Sequence, residues 1–599
     1  MREFSVPPLA TIGATANLTD PVWDNAEAAP DAVQFARRTP AGWADVTCAE
    51  FRDEVAAVAL GLVAAGVTPG ARVALMSRTR YEWTLLDYAI WAAGAITVPI
   101  YETSSAEQVA WILADSGATA CFVETAAHAL LVAGLREDLP ALARVWQIDV
   151  GDVRGLVAAG AGIDPGQVAA RRRAVTADDV ATIIYTSGTT GRPKGCVLTH
   201  RNMHSDVANA VAALDELFRP GAGTLLFLPL AHSFARLIQL GAVQARARLA
   251  HTADARDLTA ELRQVRPTFV LAVPRVFEKV YNAARQRADA AGRGRVFVRA
   301  ERVAVAYSEA LDTPGGPSLL LKAQHALLDR LVYRRIRAAL GGRCAWAISG
   351  GAPLGARLGH FYRGVGVTVL EGYGLTETSP AVTGNLPGAI RIGTVGRPLP
   401  GVTVRTADDG EILVSGDLVF REYRNNPAAT AEALDADGWF HTGDLGELDD
   451  DGYLRVTGRK KELIVTAGGK NVAPAALEDG VRAHPLVSQC VVVGDQRPFI
   501  AALLTVDPDA WPGWLAAHGH PPTATVAELR DDPALRGDLQ AAVAAANAAV
   551  SKAEGIKAFR VLPTDFTEAA GELTPSLKIK RAVLQERYAD DIAALYAPG

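Results

Sequence analysis

Cysteine is scarce and scattered: Cys48, Cys121, Cys196, Cys344 and Cys490 are five in 599 residues, an odd number with no CxxC pair. That excludes a disulfide framework and a zinc site of paired cysteines, and suits buried thiols in a reducing compartment. Positive charge is not in excess either. With 60 basic against 66 acidic side chains the formal net charge is −6, so the chain as a whole has no surplus with which to neutralise a nucleic-acid backbone. Long apolar runs are missing. The N-terminus, "MREFSVPPLATIG", lacks an apolar core of signal-peptide length, and the most apolar later run, Leu85 to Ile100, is too short to span a bilayer and is broken by Asp87. Internal repeats and low-complexity linkers are not evident. What remains is a globular balance, 49% hydrophobic and 21% charged, in a chain too long for one core, so two or more folding units in a cytoplasmic protein are expected.

Short apolar runs alternate with Ala-rich amphipathic stretches from Phe51 onward: "RVALM" from Arg72, "ITVPI" from Ile96 and "TACFV" from Thr119. This alternation predicts stacked βαβ units, hence an α/β fold. Similar runs recur as "ATIIYTS", "TLLFLPL", "FVLAVP" and "CAWAISGGAP", each ending in a turn rich in Gly, Pro or hydroxyls. Ligands of open α/β sheets bind outside the carboxyl ends of strands, so these turns are the places to seek function. Between Arg285 and Arg337 lies a helical, arginine-rich stretch that reads either as the solvated outer face of surface helices or as a face touching a membrane. After about Arg459 the composition shifts to a small α/β stretch carrying the lysine-rich "LKIKR", Leu577 to Arg581.

The densest functional signal is "YTSGTTGRPKG", Tyr185 to Gly195. It follows an apolar strand, and its glycines allow backbone N–H groups to converge on an anion, so it reads as a phosphate cradle. It is not the G-x-x-x-x-G-K-[ST] loop: Gly188 and Gly191 are too close, and Gly195 rather than a hydroxyl residue follows Lys194.

Six further motifs follow in order: "LPLAH" (Leu228–His232), "SGGAPL" (Ser349–Leu354), "EGYGLTETSP" (Glu371–Pro380), "GWFHTGDLG" (Gly438–Gly446), "GRKKELIVTAGGKNVAP" (Gly458–Pro474) and "LTPSLKIKR" (Leu573–Arg581). Together the seven resemble the adenylate-forming superfamily, and within it the long-chain fatty acyl-CoA synthetases. The resemblance spans nearly the whole chain. It implies a large N-terminal domain of stacked βαβ sheets (residues 1–458), a hinge (459–461, near Lys461) and a small mobile α+β C-terminal domain (462–599). It also implies the chemistry: a fatty carboxylate attacks the α-phosphorus of ATP, pyrophosphate leaves, and the thiol of CoA then displaces AMP. Mg²⁺ is the implied metal.

Residue roles come from the same resemblance. Thr186, Ser187, Gly188, Thr189, Thr190, Gly191 and Lys194 wrap the β- and γ-phosphates. Glu377, with Thr186, holds the metal, a hard cation that favours oxygen ligands, and Thr376 contacts the α-phosphate. Tyr373 offers a flat face to adenine, whose edge is read by backbone at Gly350, Gly351 and Ala352; Glu371, Gly372 and Gly374 belong to the same ATP-binding set. Asp444 accepts from the ribose hydroxyls, Arg459 lies near ribose and phosphate, and Lys578 is the catalytic lysine bridging carboxylate and α-phosphate. The alternative for Lys578, Lys580 and Arg581 is a solvated basic face. Leu577 stands where relatives acting on short acids carry glycine, a departure that resembles the long-chain branch. His232 and Phe234 are placed at the start of the acyl tunnel, His232 as a positional or gating group or as a base. Gly468 and Gly469 line a pantetheine channel after the C-terminal domain has swung, while Lys470 either meets CoA phosphates or is simply solvated.

Rival readings are a fatty acyl-AMP ligase serving a separate carrier protein, an aryl-CoA ligase, and a noncatalytic lipid or nucleotide sensor. No carrier segment follows Lys578, which weakens the first. Monomer and homodimer both stay open.

Overall fold

A computed structural model describes residues 2–186, 192–253, 258–574 and 578–597. Its largest sheet has seven strands. Four of them, Ile96–Ile100, Arg72–Met76, Ala120–Val123 and Arg144–Gln147, run parallel, and Val180–Thr186 joins them in the same sense beside Ile96–Ile100. The edge is antiparallel: Lys194–Thr199 folds back on Val180–Thr186, and Glu422–Tyr423 pairs outside it. The expected βαβ runs at Arg72, Ile96 and Thr119 are therefore adjacent strands.

The helix Tyr81–Ala92 is buried on nearly all sides, which is what an apolar run without polar periodicity predicts for a helix inside layered sheets. Asp87, which interrupts that run, is fully buried and forked by the guanidinium of Arg236 at 2.7 and 2.9 Å. Arg236 also donates to Thr182 Oγ1, at 2.8 Å. One buried ion pair thus joins three elements: the 81–92 helix, the helix Ser233–Gln244 and the strand leading into the phosphate-cradle motif.

A second sheet places Gly223–Leu226 and Arg248–His251 beside the hairpin Val33–Thr39/Gly42–Thr47. A third runs Phe269–Ala272, Trp346–Ser349, Thr368–Tyr373, Thr383–Gly384 and Arg397–Pro398, its first three strands parallel. A fourth is antiparallel and contains Phe440–Leu448 and Leu454–Arg459. The turn after Thr368–Tyr373 doubles back so tightly that a Cβ on Gly374 would lie 1.6 Å from the carbonyl oxygen of Pro380, so only glycine fits there.

From Ile464 onward the elements form a three-stranded sheet, Val487–Val493, Ile500–Val506 and Ile556–Val561, covered by Pro474–Arg482 and Pro533–Asn547. The two apolar clusters here draw on residues from Ile464 on, and the clusters before it end at Leu454, so no buried core is shared across residues 455–463 among the described residues. All five cysteines are buried and free, and burial pushes the Cys121 and Cys344 thiols up to about 12, far from reactivity.

Candidate active site

A cavity of about 800 Å³ opens where the end of Val180–Thr186 and the turns after Trp346–Ser349 and Thr368–Tyr373 meet the Asp444 strand and Lys578. It has two characters. One part is polar and lined by Thr186, Lys194, Glu371, Tyr373, Thr376, Glu377, Asp444, Arg459 and Lys578. The other runs between the helices His200–Ala213 and Ser233–Gln244 and is lined by Val207, Val211, Leu214, Phe218, Leu237 and Ile238.

In the polar part, Tyr373 donates its hydroxyl hydrogen to Asp444 Oδ2 at 2.8 Å, while Arg459 Nε lies 3.1 Å from Asp444 Oδ1. Register explains the second contact: Asp444 and Arg459 are direct partners across the Phe440–Leu448/Leu454–Arg459 ladder. Burial raises the Asp444 pKa, and Arg459 and Tyr373 oppose that rise. Gly350, Gly351, Gly372 and Gly374 also line the cavity, whereas Ala352 is exposed and outside the lining. Glu371 accepts from the backbone N–H of Leu354 at 3.0 Å, and burial raises its pKa to about 7.

Thr186 and Lys194 are direct partners in the antiparallel ladder between Val180–Thr186 and Lys194–Thr199. Ser187, Gly188, Thr189, Thr190 and Gly191 lie outside the described residues, as does Leu577. Thr376 is buried, its hydroxyl 3.3 Å from that of Ser233. Glu377 Oε1 accepts from Tyr423, at 2.8 Å, and the Tyr423 ring lies 4.8 Å from the Lys194 ammonium. Tyr423 therefore connects the metal candidate to the phosphate candidate, a role sequence reading missed. Its two-residue edge strand carries no motif; only its pairing with Lys194–Thr199 brings it here.

One carboxylate and one hydroxyl facing the same cavity fit Mg²⁺, which is usually held by one or two carboxylates together with substrate phosphates. Among the described residues no group of three or more His, Cys, Asp or Glu could form a cage for a metal, in keeping with that mode.

Lys578 is held by Thr574, which accepts from its backbone N–H through Oγ1 at 3.0 Å and donates its own N–H to the Lys578 carbonyl at 2.8 Å. Burial and, next, the positive charge of Arg459 lower the Lys578 pKa, opposed by Asp444, Glu377 and Glu462. Among the described residues no carboxylate oxygen is within ion-pairing distance of its ammonium. Nearby Arg581 is no solvated basic face. It is mostly buried, bonded through Nε to Glu462 at 3.2 Å and through a terminal nitrogen to Glu478, and so ties the lysine segment to the 460–462 turn and to the helix Pro474–Arg482.

His232 caps the helix Ser233–Gln244, its Nδ1 accepting from the backbone N–H of Phe234 at 3.2 Å. That bond leaves the proton on Nε2. Burial, reinforced by Lys578, pushes its pKa down to about 3, so the ring is a neutral donor and a poor proton acceptor. Phe234 lies against Gly350, where an added Cβ would come within 3.0 Å of its ring.

Gly468, Gly469 and Lys470 do not line the cavity. They form an exposed turn, closed by Gly469 N–H to Thr466 O, and the half-exposed Lys470 lies with its Nζ 3.0 Å from Glu554, outside the cavity lining. Lys461 is exposed in the 460–462 turn, 3.7 Å from Glu432. The conformation therefore presents the lysine face, and not the glycine turn, to the cavity.

The sequence pattern described as "AMP-binding enzyme" matches residues 22–424, and that described as "AMP-binding enzyme C-terminal domain" matches 461–598. The long-chain-fatty-acid–CoA ligase FadD15 of Mycobacterium tuberculosis is 54% identical over 599 residues, covering all of both chains. Peroxisomal long chain acyl-CoA synthetase 7 of Arabidopsis thaliana is 31% identical over 590 residues, 92% of this chain and 81% of that protein. Among solved structures, the A-PCP didomain of carboxylic acid reductase from Segniliparus rugosus in complex with AMP superposes with a TM-score of 0.74 at 22% identity, covering 99% of this chain and 84% of that one, a likeness of fold. ATP-bound MatB from Rhodopseudomonas palustris superposes at 0.69 with 25% identity, covering 96% and 99%.

Proposed function

The chain belongs to the AMP-binding enzyme family, and from that premise we propose that it is a long-chain fatty acid–CoA ligase, using ATP, Mg²⁺ and CoA to convert a fatty acid to its CoA thioester. The observation that carries the reading is one cavity with two linings: an apolar branch between two helices that ends beside Lys578, Thr376 and the Tyr373–Asp444–Arg459 cluster. An aliphatic acid lying in the branch brings its carboxylate to the charged end.

The division of labour follows from charge. A carboxylate and a triphosphate repel each other, so the residues must neutralise and align rather than abstract a proton. Lys578 lines the cavity and, among the described residues, has no carboxylate within ion-pairing distance, so its cation is free to serve where carboxylate and α-phosphate meet. Neutral His232 donates from Nε2 and orients the carboxylate, acting as a positional group rather than a base. Asp444, braced by Tyr373 and Arg459, retains lone pairs for ribose hydroxyls. Lys194 and Thr186 meet the outgoing pyrophosphate. Glu377 and Thr186 would hold Mg²⁺, which supplies neutralisation of phosphate charge when bound. Residues 1–458 and 462–599 act as two domains about a hinge at 459–461. The second swings after adenylation and brings Gly468 and Gly469 to the site for the CoA thiol, which loses its proton as it displaces AMP.

Because long-chain acids are sparingly soluble, the enzyme meets them at a membrane surface. No helix among the described residues is long and apolar enough to cross one. The test of the ligase reading is pyrophosphate release with a panel of acids, with and without CoA. Saturated acids of about twelve to eighteen carbons should outpace acetate and coumarate, each methylene contributing about 0.8 kcal/mol, roughly fourfold, until the branch is full. Faster turnover of acetate or an aryl acid contradicts it, and pyrophosphate release with no CoA thioester formed favours the acyl-AMP ligase.

A further inference from the structure

Among the described residues, six of the ten large apolar side chains left exposed fall in one short stretch: Val296, Leu311, Leu319, Leu320, Leu327 and Leu331. Leu319 and Leu320 are 85% and 70% exposed, values that leave them almost wholly in water. The helix Leu319–Leu328 thus has two apolar faces. Leu328 and, beyond it, Tyr333 and Ile336 are buried in the core with Phe361 and Tyr362, as one amphipathic face requires. Leu320, Leu327 and Leu331 lie seven and four residues apart, the spacing of one outward stripe. A stripe of leucine facing solvent has no folding rationale.

The stripe is set in positive charge. Residues 293–335 hold eight basic side chains and four acidic ones in a chain whose net charge is −6. Three of the four acids are neutralised within the fold: Glu301 by Arg357, Asp312 by Arg363, and Asp329 by Arg337 and Arg334. Arg295, Arg299 and Arg302 are exposed, and no ion pair engages them among the described residues. They line a surface groove together with Val296, Leu321 and Gln324, which puts them beside the leucine helix.

We infer that the outer face of the helix Leu319–Leu328, with the arginines of the helix Gly294–Leu311 beside it, is the surface by which this ligase docks on an anionic lipid bilayer. Aliphatic side chains inside a cationic rim are what a monotopic surface presents, the leucines entering the acyl boundary and the arginines meeting phosphate. A second copy of the chain fits the same face poorly, because a two-fold contact would set this cationic patch against itself. The inference rests on the reading of the substrate as a long-chain acid, and it goes further by assigning the surface.

The test uses the full chain and flotation with vesicles of phosphatidylcholine alone or mixed equally with phosphatidylglycerol. The parental protein should float with the mixed vesicles and less with the neutral ones, and should be released by salt. The variant Leu320→Gln/Leu327→Gln/Leu331→Gln should lose at least about tenfold of its partitioning, since binding scales with the apolar area entering the lipid. Arg295→Gln/Arg299→Gln/Arg302→Gln should lose the preference for phosphatidylglycerol and much of the salt dependence. Both variants change exposed residues outside the cavity and should keep parental activity on octanoate in free solution. With palmitate presented in anionic vesicles, their kcat/KM should fall. Parental flotation by the leucine variant, or no flotation by the parent, overturns the docking surface. So does a parental dimer that the leucine changes dissociate without any vesicle binding, which would assign the face to a second copy. If the parent lacks palmitate–CoA ligase activity in detergent, the ligase reading fails, whatever the flotation result.

Discussion

Lys578 is expected to act as a cation in a place that disfavours cations. Burial and Arg459 both lower its pKa from the usual 10.5. The protonated form, present below the folded pKa, is lost as pH rises through it, so the lowered value moves that loss toward neutrality. Acyl-adenylate formation should show an alkaline limb with an apparent pKa below 10.5, measured as pyrophosphate release against pH without CoA; a limb at or above 10.5 would mean that Lys578 is not the titrating group. Most candidate residues lining the cavity were legible one by one, because Lys194, Glu377, Asp444, Arg459 and Lys578 each sit in a local run whose neighbours single it out. Their partners were not. Tyr423 reaches Glu377 across 46 residues, and Arg581 reaches Glu462 across 119, so both contacts exist only in the folded chain. Lys470 shows the same limit, since its pairing with Glu554 depends on a distant turn.

The strands at Arg72, Ile96, Val180, Phe269 and Trp346 were legible as apolar runs ending in turn residues, for parallel strands buried on both faces need little else. What joins elements was harder to read. Asp87 looked like a mere interruption of an apolar run, yet it forms the buried pair with Arg236 that fixes the helix carrying His232 at its N-cap. The acyl branch likewise belongs to two helices and not to a motif. Phe218 packs against Gly241 in its lining, where an added Cβ would lie 2.9 Å from the Phe218 ring, so both positions set how much room the branch leaves. Phe218→Ala should therefore lengthen the preferred acid, and Gly241→Val should shorten it, each methylene shifting relative kcat/KM by roughly fourfold, or about 0.8 kcal/mol. Chain-length profiles on both variants check this. An unchanged profile in folded Phe218→Ala would mean that Phe218 does not limit the branch.

No sequence pattern announces how the region after Ile464 sits on the rest, because that depends on a few ion pairs between distant surfaces. Arg275, on the helix Pro274–Ala290, bonds Asp507 at 2.6 Å and Ser488 at 3.2 Å, and Lys279 lies 3.4 Å from Asp509. The Arg275 and Asp507 side chains are only 18% and 6% exposed, so the pair is shielded from salt far better than a surface one. If this contact holds the adenylating arrangement, Arg275→Ala should slow acyl-adenylate formation by up to about tenfold, or ~1.4 kcal/mol, and leave thioester formation from supplied acyl-adenylate unchanged or faster. Single-turnover assays of each half-reaction separate the two, and equal slowing of both would deny the contact any state preference. The larger claim is that one mobile domain serves both half-reactions with opposite faces. Its most direct test is to measure both half-reactions on Lys578→Ala and Gly468→Leu side by side. Gly468 is the better glycine to change, because Gly469 has φ +76° and resists any side chain, whereas Gly468 has no close neighbour. Lys578→Ala should lose about 10²- to 10³-fold in acyl-adenylate formation yet convert supplied acyl-adenylate and CoA to thioester at nearly the parental rate. Gly468→Leu should do the reverse. If both folded variants slow both half-reactions to the same extent, alternating use of the domain is contradicted.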